Sequence, residues 1–234
     1  LNKNFSSRVY VPELQKVPEV KMGSESSVGY LLKYNHYQAP ATVLALLQKG
    51  IHTKAAMKPF KDAAGNEMPA GTIFIPASGQ PLDPEGLYTF LGRLTRIYQI
   101  EINSIQNGLN LKGINLGSND MKNLELPKVA ILVGDGVNPY EAGEIWYQFD
   151  KRFNLPVTLL AADDINPGSL GRYNTVILPG GSYAKADSYL REFAQSGGLV
   201  IGQKRALFTI KQLSQGLIDA QFPTNGHSEP DHFS

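Results

Sequence analysis

The sequence contains no cysteine among its 234 residues. That excludes disulfides, thiolate metal sites and every mechanism that attacks through a cysteine thiolate. It leaves the redox compartment open, because a cysteine-free chain tolerates oxidising and reducing surroundings alike. Neither sign of charge dominates: 22 Lys and Arg stand against 21 Asp and Glu, a formal net charge of +1. The basic residues are scattered, with no run longer than a pair such as Lys204-Arg205. Electrostatics therefore give no reason to expect nucleic acid or an anionic membrane as a partner. No apolar stretch approaches the roughly 20 residues that span a bilayer, and no signal peptide is visible. Histidine is scarce, at positions 36, 52, 227 and 232. None opens a His-x-x-Glu or His-Glu-x-x-His pattern, so a helix-borne zinc pair is missing. His227, Glu229, Asp231 and His232 cluster in a short Pro-containing tail that cannot preorganise ligands, and they read as solvated residues. No metal or other cofactor is expected in this segment.

What is present is ordinary globular material, 42% apolar and 18% charged, long enough for one large or two small domains. The clearest stretch begins at Pro127. Val129-Ala-Ile-Leu-Val133 is a short apolar run that ends in Gly134-Asp-Gly136, the pattern of a buried parallel strand meeting a tight loop. Asn138 can cap a helix, Pro139 suits its first position, and Glu141 three residues after the cap completes a capping box. Ala142, Ile145, Trp146, Phe149 and Phe153 then fall on one helical face. Further strands are expected at 157–161, 174–178 and 199–202, with a helix over 186–194. Strand, helix, strand, strand, helix, strand with short connections predicts an α/β fold with a doubly wound parallel sheet.

The first half follows the same plan. Strands are expected at 28–34, 51–57, 71–76 and 100–105, with helices at 40–49 and 86–98. Two copies of one βαββαβ order suggest an internal structural repeat of two similar α/β halves, against the alternative that α/β chains show this order twice by chance. The expected organisation is an N-terminal extension over 1–27, a first half over 28–106, a linker or long loop over 107–127, a second half over 128–222 and a polar tail over 223–234. A chain that opens on Leu1 and closes in such a tail reads as a piece of a longer protein.

Several motifs come close to known chemistry. Gly134-Asp-Gly136 has the context of a dinucleotide fingerprint, but Pro139 stands where the third glycine belongs. Gly197 to Gly202 has P-loop spacing, but Gln203-Lys204-Arg205 replaces the required Gly-Lys-Ser/Thr. Glycines for tight turns explain both. Gly180-Gly-Ser182-Tyr-Ala184 approaches the Gly-x-Ser-x-Gly elbow of serine hydrolases. A triad would have to recruit His227 or His232, and the simpler expectation is that Ser182 caps the next helix. Asp135 and Glu141 could form an acid/base pair, with nothing in the sequence to show perturbed titration.

Residues 129–202 resemble the class I glutamine amidotransferase-like, flavodoxin-like fold. The resemblance rests on the first strand with Gly134-Asp-Gly136, on Tyr173-Asn-Thr-Val-Ile-Leu-Pro-Gly-Gly181, and on Gly197-Gly-Leu-Val-Ile-Gly202. In active members the last strand leads into a Gly-x-Cys-x-Gly turn that carries the nucleophile. Here that stretch is Gly202-Gln-Lys-Arg-Ala206, with Lys204 about where the cysteine would sit. Active members also use a later histidine, and none lies between residues 53 and 226. Glu141 resembles the acidic residue that related hydrolases place after the first strand. Without thiolate or base there is no nucleophile to activate, and no catalytic residue is expected.

Gly134-Asp-Gly-Val-Asn-Pro-Tyr-Glu-Ala-Gly-Glu-Ile-Trp146, with Pro59-Phe60 and Gly71-Thr-Ile-Phe-Ile75, is similar to the region after the peptidase domain in zinc-carboxypeptidase-like (peptidase M14) proteins of Bacteroidetes type. That resemblance implies an exported parent with an N-terminal metallopeptidase domain, to which any zinc would belong. The leading expectation is a non-catalytic accessory module that packs against that domain. The second is a small-molecule-binding module that uses the loops at the strand carboxyl ends, with Asp135, Asn138, Glu141, Ser182 and Lys204 as polar contacts. A serine-type hydrolase at Ser182 is the third.

Overall fold

The computed structural model describes residue 20 and residues 22–214. The chain divides into two compact units, Leu1–Leu124 and Glu125–Ser234. The expected tail over 223–234, with His227, Glu229, Asp231 and His232, lies outside the described residues, as does most of the expected extension over 1–27.

The first unit runs β1 (Gly29–Leu32), α1 (Ala39–Gln48), β2 (Lys54–Ala56), β3 (Phe60–Lys61), β4 (Glu67–Met68), β5 (Ile73–Pro76), α2 (Pro84–Tyr98), β6 (Asn103–Ile105), β7 (Lys112–Gly113) and β8 (Met121–Asn123). Its main sheet has the order β6-β1-β5-β2-β8, with every neighbouring pair antiparallel. The parallel sheet expected for this half is therefore wrong, and with it the repeat. The element order βαββαβ is present, but β5 inserts between β1 and β2, and β1 between β5 and β6. Each is a split βαβ unit. The physical reason lies in the 57–72 connection. It holds the β3–β4 pair and no helix, so the chain makes no crossover and β5 returns antiparallel.

Both faces of this sheet are covered. Tyr30, Leu32, Ile73 and Ile75 pack toward Leu46 of α1 and Leu91 of α2. Asp83 fixes the start of α2, its carboxylate accepting the Gly86 N–H at 2.9 Å ahead of Pro84. On the other face Leu31 and Phe74 meet Phe60, Met68, Ile114 and Met121. The stretch expected as a linker, 107–127, thus contributes core side chains, and it supplies β7 to a small sheet β4-β3-β7 and β8 to the main one. Its Asn- and Gly-rich wording hides three buried apolar residues, Ile114, Leu116 and Met121.

The second unit contains β9 (Val129–Val133), α3 (Pro139–Tyr147), β10 (Val157–Ala161), α4 (Pro167–Leu170), β11 (Thr175–Leu178), α5 (Asp187–Gln195), β12 (Leu199–Gly202) and α6 (Leu207–Ser214). Its four strands are all parallel, in the order β10-β9-β11-β12. Here the β10–β11 connection does carry a helix. α4 has one turn, fixed by a reciprocal capping box between Asn166 and Ser169. Ala130, Leu132, Val176 and Leu178 face Leu190 and Phe193 of α5 across an apolar core. α3 passes into a π-helical turn, Gln148–Arg152, and Ile145, Trp146, Phe149 and Phe153 are half-buried. Register places Leu159, Ile131, Ile177 and Ile201 in one row across the sheet. The two central members are buried and the edge members are 51% and 44% exposed.

Candidate functional site

The carboxyl ends of β9, β11 and β12 point toward one end of the second unit's sheet, where the following loops meet. Gly136 to Glu141, Gly180 to Ser182, and Lys204 with Arg205 line one crevice of about 630 Å³. Parallel sheets favour such a site because all strands deliver their C-terminal loops to the same edge.

The loops are pinned to each other. Gly134 and Gly136 take φ of 109° and 79°, which turns the chain directly after β9. Asn138 N–H then donates to Gly180 O at 2.8 Å, and Ser182 N–H donates to Gly136 O at 3.1 Å. This pairing explains Pro179-Gly-Gly181. A Cβ at Gly181 would lie 2.7 Å from Gly136 O, and one at Gly180 would lie 2.5 Å from Glu141 Oε2. Tyr183, 2% exposed, donates from its hydroxyl to Pro179 O at 2.6 Å. Burial pushes that phenol above its ordinary range, and the Glu141 charge adds to the effect.

Glu141 is the centre of the arrangement. The expected capping box forms only by half. Asn138 Oδ1 accepts from Tyr140 N–H and Glu141 N–H at 3.0 and 3.3 Å, but Asn138 N–H is spent on Gly180. The Glu141 carboxylate turns into the crevice instead, where the residue is 7% exposed. Its Oε2 accepts Gly180 N–H at 2.7 Å and Gln203 Nε2 at 3.4 Å. Its Oε1 accepts Lys204 Nζ at 2.9 Å and Asn138 Nδ2 at 3.2 Å. The Lys204 bond holds this carboxyl below the usual range, against the opposing effect of burial, and the Gly180 N–H adds to the lowering.

Lys204 opens the turn after β12 with φ 51°, a conformation sparsely populated for a residue with a Cβ. A 3₁₀ turn, Lys204–Ala206, leads from it into α6. The Glu141 carboxylate raises the Lys204 ammonium above its ordinary pKa, mainly through their hydrogen bond. At neutral pH its nitrogen therefore has no lone pair with which to attack a carbonyl.

Of the sequence candidates, Asn138, Glu141, Ser182 and Lys204 line the crevice and Asp135 does not. The charge of Asp135 acts on Lys185, which is bridged to Asp163 at 3.0 Å, and no acid/base pair with Glu141 forms. Ser182 is exposed and caps nothing. The following 3₁₀ turn and α5 have Tyr183 and Ala186 at their caps, neither with a side-chain bond. The described part of this unit contains no histidine, and His227 and His232 lie outside the described residues. Gln203 and Arg205, on a loop expected to flank a ligand site at the strand carboxyl ends, also close or line the crevice, as does Tyr140, which was not anticipated. No group of three or more metal-ligating side chains occurs among the described residues. Compared with family models, curated proteins and solved structures, the chain matches none.

Proposed function

We propose that the second unit is a non-catalytic ligand-binding module with a flavodoxin-like, class I glutamine amidotransferase-like sheet. The observation that carries this reading is the Glu141–Lys204 pair. It sits in a crevice built from three strand-end loops, its carboxylate buried and its ammonium exposed at the turn after β12. The sheet order supports the fold, and the left-handed Lys204 supports the placement of this turn where the resemblance puts a nucleophile. A protonated lysine and a saturated carboxylate bind and position; neither starts acyl transfer. Glutamine should therefore pass through unhydrolysed. A mixed-charge fragment set, screened by protein-observed NMR, should perturb amides at 136–141, 180–182 and 203–205. Glutaminase activity, or no perturbation of these amides by any fragment, would overturn the reading.

A second reading, an accessory module docked on the peptidase domain of a zinc-carboxypeptidase-like parent, draws on the edge strands. Leu159, Leu199 and Ile201 are 51%, 54% and 44% exposed, and Phe208 at the start of α6 is 69% exposed. Contiguous exposed apolar surface marks contact sites, and Leu199 and Ile201 alternate onto one face of β12, with Leu159 on the opposite edge of the sheet. An Ile201→Glu variant that folds normally should then lose co-elution with that peptidase domain, and unchanged co-elution would remove the docking reading. The parent's zinc plays no part in either reading of this segment.

A further inference from the structure

We infer that the ligand of this crevice carries an oxyanion, a carboxylate or a phosphate, held by Lys204, Arg205 and Ser182. The inference rests on the binding-module reading above and adds the chemistry of the ligand. Both oxygens of Glu141 already accept two donors each, from Gly180 and Gln203 on one side and Lys204 and Asn138 on the other. The carboxylate is thus screened from any incoming group. What remains for a ligand is almost entirely donor. An ammonium offers three N–H bonds, and Lys204 spends one of them on Glu141. Arg205 is exposed and makes no hydrogen bond or ion pair among the described residues, and the same holds for the Ser182 hydroxyl.

The charges lining the crevice are Glu141, Lys204 and Arg205, a net +1. Glu144 lies one turn further along α3, outside the lining, where its charge also attracts Lys204. Within the lining, a cation would meet two positive groups and no free acceptor carboxylate. A neutral molecule would leave the guanidinium unmatched. An oxyanion satisfies the guanidinium fork, the spare ammonium N–H groups and the hydroxyl together. Tyr140, 83% exposed at the rim, offers an aromatic face for the rest of the molecule.

The test titrates the ¹⁵N-labelled chain with sodium phosphate and, separately, with sodium acetate, against sodium chloride at constant ionic strength. Saturable shifts of the 180–182 and 203–205 amides with phosphate alone, or with acetate alone, support the inference and assign the oxyanion. Arg205→Gln, which leaves the Glu141–Lys204 pair intact, should weaken that binding about tenfold, the scale of one charge-assisted hydrogen bond. Lys128→Gln, at the opposite end of β9, should leave it unchanged. Three results overturn the inference: shifts with both salts no different from chloride, full binding by Arg205→Gln, or equal losses in the two variants. If neutral or cationic fragments still saturate the same amides, the oxyanion falls and the binding module stands. If no molecule of any charge does, both fall.

Discussion

Replacing Glu141 by Gln and by Ala tests whether its carboxylate is the hub that joins the three loops. Every neighbour of the carboxylate is a donor, so an amide in its place must set its own NH₂ against another donor. The Asn138 side chain cannot flip to relieve this, because its oxygen caps the N–H groups of Tyr140 and Glu141. Gln can still turn its oxygen to Gly180 N–H, so the expected cost of Glu141→Gln is about 1 kcal/mol, one hydrogen bond. Ala offers nothing to Gly180 N–H, and a buried unsatisfied amide costs about 1–3 kcal/mol. Both variants also lose the acidic group from the first turn of α3, roughly 0.3–1 kcal/mol in each. Glu141→Ala should therefore be destabilised by about 2–3 kcal/mol, clearly more than Glu141→Gln. Urea unfolding followed through the single tryptophan reports on this unit, since Trp146 lies in α3 with Lys151 Nζ 5.5 Å from its ring centre. A Glu141→Gln variant as stable as the parent would refute the donor-only shell, and equal losses for the two variants would refute the special place of Gly180 N–H.

The pair also sets a pH window. The folded Glu141 carboxyl is lowered from its ordinary 4.5, so its contribution is complete above that value and is lost as pH falls through the lower folded one. The Lys204 ammonium is raised from 10.5, so its share is complete below that value and is lost as pH rises through the higher folded one. The stability gap between the parent chain and Glu141→Gln should hold between these limits and close outside both, as measured by urea midpoints across pH. At residue 204 the left-handed backbone favours glycine, so Lys204→Gly should melt higher than Lys204→Ala although both lose the ion pair; the reverse order in a thermal scan would contradict the strain. Gly181→Ala should cost about 1–3 kcal/mol, because its Cβ would press on backbone at Gly136 and Val137, 2.7 and 2.9 Å away, and denaturation would read this directly.

How much of this was legible in the sequence differs between the units for a physical reason. In the second unit, apolar runs of four or five residues bounded by Gly or Pro marked β9, β10, β11 and β12 almost to the residue, and the two central strands, β9 and β11, are mostly buried and almost wholly apolar. In the first unit the same element order was legible, but strand direction was not. Direction depends on whether a connection contains a crossover, and the deciding pieces were small. α4 is four residues long and recognisable only by its Asn166–Ser169 cap, while β3 and β4 are two residues each. Periodicity over such lengths carries no signal.

The site shows the same limit at the scale of one side chain. Asn138, Pro139 and Glu141 have the spacing of a capping box, and local reasoning assigns Glu141 to the backbone at once. The structure gives it to Gly180, 39 positions away, and to Lys204, 63 positions away. Asn138 N–H is taken by Gly180 O, and with that donor gone the carboxylate keeps only the Asn138 side-chain amide as a local partner among the described residues. The clue in the sequence was the pair Gly180-Gly181. Two consecutive glycines after a strand mark a backbone that something approaches closely, and here that visitor is a carboxylate on one residue and a peptide on the next. A cap motif followed later by Pro-Gly-Gly is therefore better treated as two halves of one contact than as two independent turns.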